Sequence, residues 1–426
     1  MGVRGLLLFF LLLLVVVLGL TLASGPASPR GAWRAVHGGH PPRYELGVKP
    51  RCTEGMPYLY QALPPARRMF ASLRASHPAA KTPRLPPPVR QMLAGSRPGE
   101  GFAAAVRRDR FTAAVTRTWP ADALRADALS SHFSEEVRAR CRTAPGGARA
   151  TRGRPTQSPL EFYEAHPGAA PPGAAPYARH DRLYAALTRA GLAWCNFYNP
   201  AFALWLCRRL GRELGKPPDR LRILDPSAGW GDRALAACAY GAAAYHGYDP
   251  NQELQPSYKA IFKEFAPPGR AADFWVAPQP FEQGDPDLAA SPSRPGRQPR
   301  GGRLADGTYD LVHTSPPFYD HEDYPAEGGA AARARPTYAE WWKEFFVPYL
   351  RAAWAGVRPG GFLVLYISDY PGPSGRVPLA ADTCRHFRHL ADCREHAVYG
   401  FAYRPAGARS PPRYRPAFVW KKLGHA

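Results

Sequence analysis

Cysteine is scarce and unordered in this 426-residue chain. Its seven cysteines, at positions 52, 141, 195, 207, 238, 384 and 393, are odd in number and follow no framework spacing, which argues against a disulfide scaffold. Acidic residues are scarce as well: 34 Asp and Glu stand against 56 Lys and Arg, a formal net charge of +22. That balance suits a polyanionic partner such as nucleic acid, although a general richness in Arg, Ala, Pro and Gly raises the charge equally well without any binding surface. The length exceeds one ordinary domain, so one large domain with additional segments is expected.

No acidic residue occurs from Met1 to Tyr44. Within that stretch, residues 1–24 read as a signal peptide or signal anchor: Arg4 precedes a nearly unbroken apolar run, Leu6–Leu22, and Ala23-Ser24-Gly25 follows it. A run of about 17 residues sits between a cleaved leader and a spanning helix. A membrane system or the secretory route, with membrane association through residues 6–22, is the expectation. Arg30, Arg34 and Arg43 also suit a signal-plus-transit leader for a plastid.

Residues 25–155 form a Pro/Gly/Arg-rich N-terminal region with short helices. Segments 25–50, 76–100, 143–159 and 166–176 read as linkers or loops. Between them, Leu124, Leu129, Phe133, Val137 and Cys141 predict a helix over 121–142 that packs on the following domain, with Ser134 before Glu135 and Glu136 as its cap. Residues 156–426 alternate apolar strands with helices, the pattern of a parallel sheet with crossover helices. Strands are expected at 221–224, 243–248, 274–277, 309–313, 361–367, 396–403 and 415–421, the last two as an antiparallel hairpin. Helices are expected at 178–194, 200–214, 232–241, 252–265, 337–356 and 377–391, with Gly215 and Gly360 as stops. The piece 284–307 reads as a low-complexity surface insertion.

The first of these strands runs into Asp225-Pro226-Ser227-Ala228-Gly229-Trp230-Gly231-Asp232-Arg233-Ala234, a tight glycine loop and a helix start. Gly229, Gly231 and Ala234 satisfy G-x-G-x-x-A, and Asp249 ends the next strand 20 residues after Gly229, which alone would fit a dinucleotide site. Asp225 argues otherwise. A carboxylate there repels a pyrophosphate and attracts the ammonium group of S-adenosylmethionine. The glycines let the backbone approach that cofactor, and Asp249 can accept from both ribose hydroxyls.

The fourth strand, Tyr309–His313, enters Thr314-Ser315-Pro316-Pro317-Phe318-Tyr319. In an open parallel sheet the carboxyl ends of strands one and four flank the ligand crevice. An exocyclic base amine is a poor nucleophile, so acceptors that hold its hydrogens orient its lone pair toward a sulfonium methyl. Ser315 Oγ and the Pro316 carbonyl can supply them, Pro317 stiffens the turn, and Phe318 offers a stacking face.

The order Asp-Pro-x-x-Gly-x-Gly resembles motif I of class I methyltransferases, and Ser-Pro-Pro-Phe resembles the Asp/Asn/Ser-Pro-Pro-Tyr/Phe motif of DNA adenine and cytosine amino-methyltransferases. The resemblance covers about 177–426. It implies a Rossmann-like, mostly parallel seven-stranded sheet with helices on both faces, S-adenosylmethionine as cofactor, catalysis at Ser315, Pro316, Pro317 and Phe318, and cofactor binding by Asp225, Ser227, Gly229, Gly231 and Asp249. It also implies roles near the cofactor for Asn199, in Asn196-Phe197-Tyr198-Asn199-Pro200, and for Glu282.

The chain has little room for a large target-recognition region, which speaks against long duplex DNA. Asp320, Glu322, Asp323 and Tyr324 could close over the site or form a solvated loop. Cys384, His386, His389 and Cys393 scatter around a helix at their spacing, so no metal is expected. Trp341, Trp342, Phe345, Phe346, Tyr349, Leu350 and Trp354 read as the core stripe of a crossover helix. The expected function is methyl transfer to an exocyclic amino group of DNA or RNA; the alternatives are methylation of a protein side-chain amide and a cofactor-binding module without catalysis.

Overall fold

A computed structural model describes residues 63–75, 112–116, 127–141, 157–169, most of 182–192, 198–283, 307–319, 337–372, 375–403 and 413–424. The leader, the interior of the 284–307 insertion, Asn196, Phe197 and the loop from Asp320 to Tyr324 lie outside the described residues. Among the described residues no helix is long and apolar enough to cross a membrane.

The principal sheet contains β1 (Thr112–Thr116), β2 (Arg222–Asp225), β3 (Ala244–Tyr248), β4 (Phe274–Ala277), β5 (Tyr309–Thr314), β6 (Val357–Tyr366), β9 (Cys393–Tyr403) and β10 (Arg413–Lys422). They lie in the order β1-β9-β10-β6-β5-β2-β3-β4. Strand β10 runs antiparallel to both neighbours, and every other pairing is parallel. All seven expected strands are present. The order β9-β10-β6-β5-β2-β3-β4, with β10 alone reversed, is the Rossmann-like arrangement of the class I methyltransferase fold. A separate ribbon pairs β7 (Tyr370–Gly372) with β8 (Gly375–Val377).

Side chains alternate across each strand, and the core is accordingly double. On one face Ile223, Tyr245, Phe274, Val276, Leu311, Phe362 and Val364 pack with helices α4 (Pro200–Glu213), α5 (Asp232–Tyr240) and α6 (Gln255–Phe265). On the other, Leu224, Tyr248, Trp275, Val312, Leu363, Leu365 and Trp420 pack with the helices after β5 and β8. Those helices are α7 (Tyr338–Trp341), which passes through a π-helical turn at Trp342–Phe346 into α8 (Val347–Gly356), and α9 (Leu379–Arg388).

Two N-terminal helices, α1 (Leu63–Ala75) and α2 (Asp127–Ala139), add Ala66, Leu73 and Leu129 to the first of these cores. Phe70 stacks on Phe265 with centroids 4.1 Å apart, Phe133 meets the same ring edge-on, and Arg67 pairs with Glu264.

Several local expectations are corrected. Ser134 is no cap: it lies inside α2, where its hydroxyl donates back to the Ser130 carbonyl at 3.0 Å. Part of the expected 143–159 linker is ordered, since Ser158 and Glu161 form a capping box at the start of α3 (Pro159–Ala165). Gly215, at φ +63°, does follow the end of α4. Gly360 does not stop α8, which ends at Gly356, and instead lies within β6 at φ +78°. Strand β1 escapes notice because Thr-Ala-Ala-Val-Thr has no alternation.

Candidate functional site

Strand β2 ends at Asp225, and the chain then makes two left-handed glycine turns, Gly229 at φ +59° and Gly231 at φ +91°, before α5 begins. The loop is tied to the end of β3. Ala228 N–H donates to the Tyr248 carbonyl at 2.8 Å and Gly229 N–H to Asp249 Oδ2 at 2.9 Å. Gly247 permits this approach, because a Cβ there would stand 2.9 Å from Val276 Cγ2 and 3.2 Å from Ala228 Cβ.

Asp249 also accepts from Asn251 N–H at 2.9 Å. Burial pushes its carboxyl up to about 6, against the opposing pull of the two N–H groups.

Asp225 is fully buried and fully partnered. Oδ1 accepts from Ser227 N–H at 3.2 Å and Arg233 Nη2 at 3.1 Å; Oδ2 accepts from Arg233 Nε at 2.7 Å and the Tyr245 hydroxyl at 2.7 Å. Four bonds fill a carboxylate's lone-pair sites. Burial works to lower the Arg233 pKa, but the charge and hydrogen bonds of Asp225 outweigh it and raise the guanidinium above its ordinary value. The Asp225 carboxylate, expected to attract an ammonium group, has its charge met by Arg233 in the fold.

Behind Arg233, the Tyr198 ring lies 4.9 Å from the guanidinium carbon, and Tyr198 Oη shares a 2.9 Å hydrogen bond with His313 Nε2. Burial first, and then the Arg233 charge, hold His313 well below its usual pKa. Asn199 is used as the N-cap of α4, its side chain accepting from Phe202 N–H at 3.0 Å.

Strand β5 lies beside β2, so Ser315 emerges next to the glycine loop. Its hydroxyl donates to the Tyr366 carbonyl at 3.4 Å, Pro316 is buried, Pro317 is half-buried, and Phe318 meets Tyr370 edge-on at 5.3 Å. A hydroxyl whose hydrogen is held in this way keeps its lone pairs for an incoming donor. Glu282 sits in the 3₁₀ turn Phe281–Gln283 after β4, and Phe281 packs edge-on against Tyr248 and Tyr349 at 5.2 and 5.6 Å. The loops after β2, β3, β4 and β5 are thus gathered at one end of the sheet.

Tyr349, expected only as part of the core stripe, also belongs to this site. Its ring is buried with the expected aromatic stripe, but Oη lies 2.9 Å from Ser227 Oγ and 3.2 Å from Thr314 Oγ1. Tyr198, Arg233, Tyr245 and His313 were missed as well. The sequence shows Arg233 two residues after Gly231, at the start of the expected helix.

Cys384 and His386 lie on α9, His389 caps it and Cys393 opens β9. Among the described residues no group of His, Cys, Asp and Glu is placed to hold a metal ion.

No protein-family model matches the chain, nor does any curated protein. Among solved structures it is similar to a SAM-dependent O-methyltransferase of Thermotoga maritima, at 11% identity and TM-score 0.32 over 55% of this chain and 68% of that one. It is also similar to TrmN of Thermus thermophilus (18% identity, TM-score 0.30, 57% of this chain and 53% of that one) and to an rRNA methylase of Streptococcus thermophilus (9%, 0.30, 54% and 100%). Likeness at this level carries no activity from those proteins to this chain.

Proposed function

We propose that the chain is an S-adenosylmethionine-dependent methyltransferase that acts on an exocyclic amino group of a nucleobase in DNA or RNA. The observation that supports it most directly is the adjacency of two loops: the glycine loop after β2 and Ser315-Pro316-Pro317-Phe318 after β5 leave neighbouring parallel strands at the same end.

The residues present fit the cofactor at its ribose. Asp249 accepts two backbone N–H groups and has a further hydrogen-bond partner in Tyr258, which leaves one acceptor position for a hydroxyl donor, and Gly229 and Gly231 let the backbone come close. They fit less well at the ammonium end as the sequence suggested, because Asp225 has its acceptor positions filled; its part in this reading is to hold the loop's shape with Arg233. The bound cofactor would supply an electrophilic methyl group. Ser315 and the Pro316 carbonyl would accept the hydrogens of the acceptor amine and turn its lone pair outward, while Phe318 would stack on the ring.

The test is to incubate the full chain with isotopically labelled S-adenosylmethionine and separate pools of DNA, RNA and protein, followed by mass spectrometry of digested products. Label on an exocyclic base amine is the expected result. Label on asparagine or glutamine amides would replace this reading with side-chain methylation. Cofactor binding without label in any pool would leave a binding module.

A further inference from the structure

We propose that Tyr349 is a positioning residue that holds the loop after β2 and the loop after β5 at a fixed separation, a role that rests on the methyl-transfer reading above. Strands β2 and β5 are paired at Ile223 with Leu311 and at Leu224 with Val312, where the ladder ends. The chemistry-bearing residues lie beyond that point. Ser227 is two residues past the end of β2, and Thr314 immediately precedes Ser315. The Tyr349 hydroxyl reaches both, 2.9 Å from Ser227 Oγ and 3.2 Å from Thr314 Oγ1, and so continues by side chains the link that the backbone ladder gives up.

The surroundings of Tyr349 make the hydroxyl conspicuous. Its ring packs among Phe281, Phe345 and Phe346, with centroids 5.6, 6.1 and 5.9 Å away, and the residue is 1% exposed. Phenylalanine would fill that volume as well, and a hydroxyl buried there costs stability unless it is partnered. A phenol has one donor and two acceptor positions, enough to donate to one of the two side chains and accept from the other. Burial raises the Tyr349 pKa, while the Ser227 and Thr314 hydrogen bonds act in the opposite sense; the group stays protonated and able to donate. What this bridge controls is the distance between a methyl donor and its acceptor, and displacement by about 1 Å costs on the order of 100-fold in rate.

The experiment compares wild type with Tyr349→Phe, Thr314→Val, Ser227→Ala and the Tyr349→Phe/Thr314→Val double variant. It measures kcat, KM for the acceptor, affinity for S-adenosylhomocysteine by calorimetry, and thermal midpoint. Tyr349→Phe is expected to lower kcat about 10- to 100-fold, with acceptor KM and product affinity changed less than about threefold and the melting point lowered by only a few degrees, because Thr314 loses a buried partner. The double variant should be no slower than Tyr349→Phe, since both remove the same bridge. A purely structural tyrosine would instead move the melting point and leave kcat of the folded fraction intact. Should Tyr349→Phe fail to fold, Thr314→Val decides: reduced kcat at unchanged affinity for S-adenosylhomocysteine supports the role, and unchanged kcat overturns it. If wild type transfers no methyl group to any pool, the function reading falls and this role with it; if wild type is active and Tyr349→Phe matches it, only this role falls.

Discussion

Arg233 reaches back from the first turn of α5 to place Nε 2.7 Å from Asp225 Oδ2, and both side chains are almost wholly enclosed. The guanidinium also donates to the Ser227 carbonyl, so one side chain fixes both the end of β2 and the loop that leaves it. Breaking such a pair strands a buried charge, whereas an exposed pair contributes little.

Arg233→Ala should therefore destabilise the fold by about 3–5 kcal/mol in urea denaturation. Arg233→Lys keeps the charge without the two-pronged geometry and should fall between. A loss below about 1 kcal/mol for Arg233→Ala would show that the pair is not needed to hold the loop.

Asp249 gives a pH dependence with a definite sign. Its folded carboxyl is raised to about 6, so folding favours the protonated form. The corresponding stabilisation is complete below the unfolded value of about 4 and is lost as pH rises through about 6. Asp249→Asn should flatten stability between about pH 4 and about pH 6, the window those two values set. Hydroxyl donors prefer the charged carboxylate, so affinity for S-adenosylhomocysteine should increase as pH rises through the same range. Calorimetry at several pH values checks both, and affinity that falls with rising pH would remove Asp249 from the ribose site.

Ser315→Ala and Phe318→Ala should separate binding from transfer. Loss of the Ser315 hydroxyl removes one acceptor from the amine and should slow transfer about 100- to 1000-fold. Phe318→Ala removes a stacking face worth about 1–3 kcal/mol and should chiefly weaken acceptor binding. Neither should alter cofactor affinity. Near-normal transfer by both variants would end the case for amino methylation.

The apolar run Leu6–Leu22 should direct the chain to a membrane system. A C-terminal fluorescent fusion of the full chain is expected on membranes or inside an organelle, and removal of residues 1–24 should release it to the cytosol. A fusion diffuse in the cytosol with or without those residues would contradict the leader.

The fold was legible where pattern and punctuation coincide. Leu221-Arg222-Ile223-Leu224-Asp225 before a glycine loop, and Tyr309–His313 before two prolines, could be read as strand ends because apolar alternation stops where the turn residues begin. Thr112–Thr116 could not, since alanine and threonine mark no buried face. Site chemistry was legible residue by residue but not pair by pair. Asp225 was seen without Arg233 and Tyr245, which reach it from eight and twenty residues further along the chain. Asn199, expected near the cofactor, stands before Pro200 and also caps α4, a local role that its Asn-Pro position signals. Tyr349 was assigned by its helical spacing to the core, which is correct for its ring and silent about its hydroxyl.

The π-helical turn at Trp342–Phe346 sets the angular phase of everything that follows it. Such a turn closes with one residue more than an α-helical turn. Removing that residue with a return to regular winding would leave Trp341 and Tyr349 seven residues apart, about 700° of α-helical rotation, and so still on nearly the same side. At their actual spacing of eight, regular α-helical winding would set them about 80° apart; the wider turn lets both face the same side of the sheet. The turn thus acts as a clocking pin between two halves of one helix, and rewinding it as regular α-helix at unchanged length would disarm the hydroxyl bridge without touching any residue that forms it.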